Sequence, residues 1–202
     1  PVRSYGGIVP GLGHLLGWVA VLMVARGADL FFTYHYTPDL ALELNPVVVA
    51  TQGGWVMLLA VQLPVIALAL WLIRYYEQHK DRLVPDQAGL SLGHYVSVLY
   101  LGRRTTPLTL LVERPRYRDM MWISMGYVLP RAIALNGIIL AVWGALNLRF
   151  SESSWLMEQM LALKPAVILL AYAFPVLLFQ LLFFLMHYRD YRSRAMLALQ
   201  SD

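Results

Sequence analysis

The sequence predicts an all-α integral membrane protein with four transmembrane helices, and three observations lead to that fold class. Of the 202 residues, 59% are hydrophobic and only 14% are charged, whereas soluble domains carry about 25% charged residues. Four apolar stretches each reach the roughly 20 residues that a helix needs to cross a bilayer. Basic residues gather in alternate connections between these stretches. Together these features indicate a single membrane domain over residues 1–202.

The four spans are placed by their apolar runs. They cover about residues 12–33, 48–73, 121–146 and 165–188. At about 1.5 Å per residue, each is long enough to cross a hydrocarbon core about 30 Å thick. Prolines inside three of the spans predict helix kinks, namely Pro64, Pro130 and Pro175. Arg26 and Asp29 interrupt the first span, so it is not interpreted as a cleaved signal peptide.

The charges of the connecting segments predict how the spans are oriented. Residues 74–119 and the C-terminal tail hold most of the arginines, whereas the only charged residues between the first two spans are Asp39 and Glu43. The positive-inside rule therefore places both termini and the central loop in the cytoplasm, as expected for a bacterial inner-membrane protein. This topology and anionic lipid explain the net charge of +4, so no nucleic-acid partner is expected.

The central cytoplasmic loop, residues 74–119, contains a short apolar run. The run Leu90–Leu101 is too short to cross the bilayer, so the sequence predicts an interfacial or re-entrant helix there. The segment that follows, residues 103–119, is basic and contains prolines. It either lies on anionic headgroups, docks a partner or forms a solvated loop.

A cluster of polar residues accompanies the first span and the connection after it. Arg26 lies three residues before Asp29, so the two side chains are within reach of an ion pair on one helix. Pro46 is a good first residue for the second helix, which makes Asn45 its predicted N-cap. Glu43 then lies near the positive end of that helix. All of these roles are structural.

The same cluster also allows a functional interpretation. The short connection folds Glu43 back towards Asp29, and His35 is within reach by its position in the sequence. Two carboxylates and an imidazole suit a divalent cation or a proton relay. Asp29, His35 and Glu43 are therefore candidate metal-binding or catalytic residues, although no HExxH motif accompanies them. The chain has no cysteine, which excludes disulfides and thiolate metal sites.

Two motifs frame the connection between the first two spans, Asp29-x-x-x-Thr33 and Glu43-x-Asn45-Pro46. With this spacing they resemble the hallmark of the DUF5658 family of small bacterial and archaeal membrane proteins. The resemblance covers about residues 15–75. Arg26 departs from the family pattern, in which a neutral polar residue is usual. The family has no established activity, so the resemblance implies a membrane fold and no particular function.

Other polar residues fall inside the later spans. Arg131 lies near the middle of the third span, where an unpaired guanidinium is very unfavourable, so an interhelical ion pair with Asp29 is expected. Alternatively Arg131 binds an anionic substrate or ligand, with Asn136 as a second candidate beyond it. Gln62 and Gln180 are expected to form interhelical hydrogen bonds.

Small, aromatic and histidine residues complete the pattern. The glycines at positions 53, 54, 137 and 144 are expected to let helices approach closely. An interfacial aromatic belt is predicted from Trp71, Tyr75, Tyr76, Trp122, Tyr127 and Tyr188. His14 and His187 fall near the cytoplasmic ends of their spans, as a bis-histidine haem requires, but no family motif supports a haem.

Helix pairing and capping explain nearly all of these polar residues. We therefore expect a non-enzymatic accessory or structural subunit of a larger membrane assembly, or a homo-oligomer, in contact with lipids, pigments or quinones. One alternative is an intramembrane metal-assisted lipid hydrolase or transferase, with Arg131 holding the anionic group and with the candidate residues Asp29, His35 and Glu43. The other is a homodimeric ion-coupled carrier in which Asp29 and Arg131 form a charge switch. The sequence identifies no cofactor.

Overall fold

The computed structural model describes residues 11–40, 46–85, 87–150 and 154–199, and these residues are largely helical. The helices are α1 Leu12–Tyr36, α2 Pro46–Thr51, α3 Gly54–His79, α4 Leu92–Leu101, α5 Arg118–Phe150 and α6 Ser154–Leu199. Short 3-10 turns cover Lys80–Leu83 and Pro107–Leu111. No strand occurs in the described ranges, which confirms the predicted all-α fold.

Four helical segments are long and apolar enough to cross a membrane, which confirms the predicted number of spans. They are Leu12–Tyr36, Gly54–Leu83, Arg118–Phe150 and Ala162–Met196. The chain is therefore a polytopic membrane protein. Helix α6 has 46 residues, or about 69 Å, more than twice the thickness of the hydrocarbon core. It continues as a helix beyond the membrane because no glycine or proline interrupts its polar C-terminal third.

The second span begins at Gly54 rather than at the predicted residue 48. Gln52 and Gly54 both have positive φ angles, 51° and 58°, and this left-handed backbone separates α2 from α3. A Cβ atom at Gly53 would collide with the side chain of Met57. The glycine pair, expected to let two helices approach each other, instead ends one helix and starts the next.

Helix α5 packs against α1, α3 and α6 and occupies the centre of the bundle. A Cβ added to Gly137 would lie 2.8 Å from the carbonyl oxygen of Ala25, and one added to Gly144 would lie 2.8 Å from Cβ of Phe32. The spacing from Ala25 to Phe32 on α1 equals the spacing from Gly137 to Gly144 on α5, and both contacts advance in the same chain direction. The two helices are therefore parallel and in one register. The two glycines let these helices approach closely, as the sequence predicts.

The described part of the segment between α3 and α5 folds over one end of the bundle, which we call the capped end. Residues 95–101 of α4 are all buried, in a core that also contains Leu83, Ile123 and Phe183. A helix lying on a membrane surface keeps one face in water. The continuous burial of residues 95–101 therefore does not fit a helix on a membrane surface and makes α4 a helix covered by protein, which agrees with the re-entrant alternative.

Tyrosine hydroxyls fasten the cap to the extension of α6. The hydroxyl of Tyr191 accepts a hydrogen bond from the Leu90 amide at 2.9 Å and donates one to the Gln87 carbonyl at 2.8 Å. Tyr188 donates to the Leu90 carbonyl at 3.0 Å. These bonds satisfy backbone groups of an irregular segment, which otherwise lacks helical partners. The long α6 therefore serves as the support on which the cap is held.

Candidate functional site

A network of polar side chains crosses the middle of the bundle, and Arg26 of α1 is its centre. Its Nη1 atom lies 3.1 Å from Oδ2 of Asp29, one helical turn further along. Its Nε atom donates to Oε1 of Gln62 on α3 at 2.9 Å. Nη1 also donates to Oδ1 of Asn136 on α5 at 3.2 Å. Three helices are therefore joined through one guanidinium group.

Asn136 carries the network on to the fourth spanning helix. Its Nδ2 atom donates to the carbonyl oxygen of Ala171 on α6 at 3.0 Å. Ala171 lies four residues before Pro175, which has no N–H to offer that carbonyl. The proline that the sequence predicts as a kink therefore frees an acceptor, and Asn136 satisfies it.

We call Arg26, Asp29, Gln62, Asn136 and the Ala171 carbonyl the central network. The side chains of Arg26 and Asp29 are only 14% and 13% exposed, so both charges are largely withdrawn from their surroundings. Within the described part of the chain, no buried side-chain nitrogen or oxygen lacks a hydrogen-bond partner. Because these polar groups satisfy one another, the network suits helix association better than the binding of a reactant.

Arg131 lies outside the central network, although the sequence predicts an ion pair with Asp29. Its Cζ atom lies 4.9 Å from the ring centroid of Trp18 and 3.9 Å from that of Tyr127. Trp18 precedes Asp29 by eleven residues on α1, so the Arg131 guanidinium and Asp29 lie at levels about 16 Å apart along the helix. The structure therefore does not bring Arg131 and Asp29 together, and Asp29 pairs with Arg26 instead.

Two of the three candidate metal-binding residues, Asp29 and His35, lie in the described part of the chain, and they do not share a face of α1. His35 is exposed, and its Nδ1 atom lies 2.8 Å from the Phe31 carbonyl oxygen. It follows Asp29 by six residues, which turns the two side chains about 120° apart on α1. Among described residues, no three His, Asp or Glu side chains form a possible metal site. Glu43 and the predicted cap Asn45 lie outside the described residues, so their roles stay predictions.

The two candidate haem histidines have different surroundings. His187 is buried on α6, where its Nε2 atom lies 3.1 Å from the hydroxyl of Tyr76. Its ring also packs on Phe183 at 4.7 Å between centroids. His14 is exposed near the start of α1. The structure thus gives His187 a tyrosine partner on α3.

A second cluster, which the sequence interpretation missed, lies nearer the capped end and consists of Trp18, Tyr76, Tyr127, Arg131 and His187. Nη1 of Arg131 donates to the Tyr127 carbonyl at 2.8 Å. Tyr127 also packs edge-on against Tyr76, with ring centroids 5.6 Å apart. The sequence predicts both tyrosines as members of an interfacial belt, whereas the structure buries them between helices. The four-residue spacing of Tyr127 and Arg131 on α5 is the signal that points to their contact.

No protein-family model, curated protein or solved structure matches the chain. The resemblance to the DUF5658 family therefore stays a prediction, and Glu43 and Asn45 of its pattern lie outside the described residues. Any role for the central network or for the second cluster has to be argued from the contacts that the structure describes.

Proposed function

We propose that the protein is a non-enzymatic accessory or structural subunit of a larger membrane assembly. The observation that carries this proposal is the closure of the central network. Arg26, Asp29 and Asn136 are bonded to one another within the bundle rather than arranged around an open site. Polar side chains inside membranes commonly hold helices together in this way.

The outer faces of the bundle support contact with neighbouring membrane components. Helix α1 exposes Val24 and Phe31, at 72% and 55%, and α6 exposes Leu169 and Leu177, at 67% and 68%. Such faces fit lipid tails and the apolar helices of other subunits or of a second copy. They also fit pigments and quinones, whereas nothing in them suits nucleic acid. Partners of this kind belong to the proposal.

The proposal includes a bacterial inner-membrane location with the capped end in the cytoplasm. Exposed arginines concentrate at this end, among them Arg74, Arg82, Arg103, Arg104, Arg189 and Arg194. Helix α1 starts at the same end, and α6 finishes there. The positive-inside rule then assigns both termini to the cytoplasm.

Mild solubilisation of native membranes, followed by size exclusion and mass spectrometry, tests the proposal directly. We expect stoichiometric polypeptides, or bound pigments or quinones, to remain with the protein. A monodisperse protein that carries no partner polypeptide, no second copy and no pigment or quinone would contradict it.

Photo-crosslinking within native membranes supplies a control that the chain itself offers. A photoreactive residue at Val24 or Leu177 is expected to give an adduct with a defined polypeptide. The same residue at Leu22, which is fully buried on α1, should give only intramolecular products. If the exposed and the buried positions gave the same mixture of crosslinked polypeptides, the protein would have no specific neighbour.

A further inference from the structure

The two arginines inside the bundle have very different partners. Arg26 is neutralised by Asp29, whereas no carboxylate of the described residues lies within 4.0 Å of Arg131. Glu77 is the carboxylate that acts on Arg131 at longer range, and Lys80 already holds it at 2.7 Å. We propose that Arg131 binds the phosphate of an anionic lipid headgroup, from the leaflet at the capped end.

The contacts of Arg131 leave part of its guanidinium available. Only Nη1 donates to an acceptor among the described residues, the Tyr127 carbonyl at 2.8 Å. The rings of Tyr127 and Trp18 lie beside the guanidinium and stabilise its charge without using its N–H donors. A guanidinium has five such donors. Among described residues no buried side-chain nitrogen lacks a hydrogen-bond partner, so the remaining donors of the partly buried Arg131 are accessible.

The depth of Arg131 suits a headgroup. The exposed rings of Trp71 and Trp122 meet with their centroids 5.8 Å apart, and tryptophans of this kind mark a membrane interface. Gly126 packs on Leu72 at about the same level. Arg131 lies five residues beyond Gly126, about 7 Å deeper. Its side chain runs back over Tyr127 towards the interface, which is how long cationic side chains reach headgroups.

The chemistry favours a phosphate attached to a lipid. A guanidinium recognises phosphate with two parallel charge-assisted hydrogen bonds. Basic pockets between spanning helices at the cytoplasmic side are known to hold anionic headgroups. Because the side chain returns the guanidinium towards the interface, it meets the level at which a lipid holds its phosphate, whereas free phosphate stays in bulk water. Exposed His14, one turn before Trp18 on α1, is a second donor for the same headgroup.

Lipid retention in native mass spectrometry tests this proposal on the full chain. The protein is reconstituted with equal amounts of phosphatidylglycerol and phosphatidylcholine, and the ratio of retained lipids is measured. We expect several-fold more phosphatidylglycerol on the wild type and a ratio near one for Arg131→Gln. Arg74→Gln removes an exposed arginine near the same end and should keep the wild-type ratio. Equal retention by the wild type, or the same preference in Arg131→Gln, would overturn the proposal.

Two further measurements keep the test decisive. Inorganic phosphate should not displace the retained phosphatidylglycerol; displacement by it would assign the site to a free anion and overturn the lipid proposal.

If Arg131→Gln does not fold, brominated lipids decide instead. Brominated phosphatidylglycerol should quench the tryptophan fluorescence more than brominated phosphatidylcholine, and Trp18→Phe should remove the difference. A difference that persists in Trp18→Phe would place the lipid elsewhere. The proposal holds whether or not the protein is a subunit of an assembly.

Discussion

The side-chain amide of Asn136 takes the place of the backbone N–H that Pro175 withholds from the Ala171 carbonyl. Nδ2 of Asn136 lies 3.0 Å from that oxygen, and Oδ1 of the same side chain accepts from Arg26 at 3.2 Å. Asn136 therefore joins a proline-interrupted turn of α6 to the charged pair of α1. The hydrocarbon core of a membrane contains no water to bond a free carbonyl, so a side-chain donor has to replace the backbone N–H that proline lacks.

Asn136→Leu is expected to destabilise the bundle by about 1–2 kcal/mol, because it removes both interhelical hydrogen bonds of Asn136 and leaves the Ala171 carbonyl unsatisfied. Unfolding in mixed micelles, followed by circular dichroism, measures this cost. In a Pro175→Ala background the helix supplies its own N–H to Ala171, so Asn136→Leu should cost less. Equal costs in the two backgrounds would refute the link between Asn136 and Pro175.

The ion pair between Arg26 and Asp29 is expected to show strong coupling. Arg26→Gln and Asp29→Asn each leave a charge without its partner, and each should cost about 2–3 kcal/mol. The double variant should cost clearly less than the sum, because neither charge remains.

The comparison with Arg131 distinguishes the observed pair from the one that the sequence predicts. Arg131→Gln combined with Asp29→Asn should be additive, since the two residues lie about 16 Å apart along the bundle. Coupling between Arg131 and Asp29, together with additivity of Arg26 and Asp29, would mean that the pairing described here is not the one in the membrane.

The number of spans could be predicted because it depends only on the length of apolar runs. The ends of the helices could not, because α6 continues through polar residues that favour a helix. The pair Arg26–Asp29 could be read from a three-residue spacing on one helix. The partner of Arg131 could not, since its depth relative to Asp29 depends on the register of α1 and α5. That register is determined by the close contacts of Gly137 and Gly144, which no local pattern reports.

Gly137→Ala is expected to weaken the packing of α1 on α5. The new Cβ would lie 2.8 Å from the carbonyl oxygen of Ala25, and a backbone atom cannot move aside as a flexible side chain does. Forcing the helices apart should cost about 1–3 kcal/mol. Gly27→Ala is the matched control, because a Cβ there has nothing within 4 Å. It should be neutral or slightly stabilising, as alanine favours a helix over glycine. A larger loss for Gly27→Ala than for Gly137→Ala would reject the parallel register.

The cap is expected to loosen at alkaline pH through Tyr95. Burial raises the pKa of Tyr95 above its ordinary value of about 10, and its hydroxyl donates to the Leu83 carbonyl at 2.8 Å. Because the pKa is higher in the folded than in the unfolded chain, the neutral hydroxyl contributes stability that is fully present below pH about 10. That contribution disappears as the pH rises through the folded-state pKa.

Spectrophotometric titration of tyrosinate in the wild type and in Tyr95→Phe isolates this group. Their difference should show one tyrosine that ionises well above the ordinary range, together with a loss of near-ultraviolet circular dichroism from the cap. Far-ultraviolet circular dichroism should stay constant meanwhile, because the apolar spans do not depend on this hydroxyl. A difference spectrum that titrates near pH 10 would show that Tyr95 is open to water, and α4 would then not be the covered helix that its burial indicates.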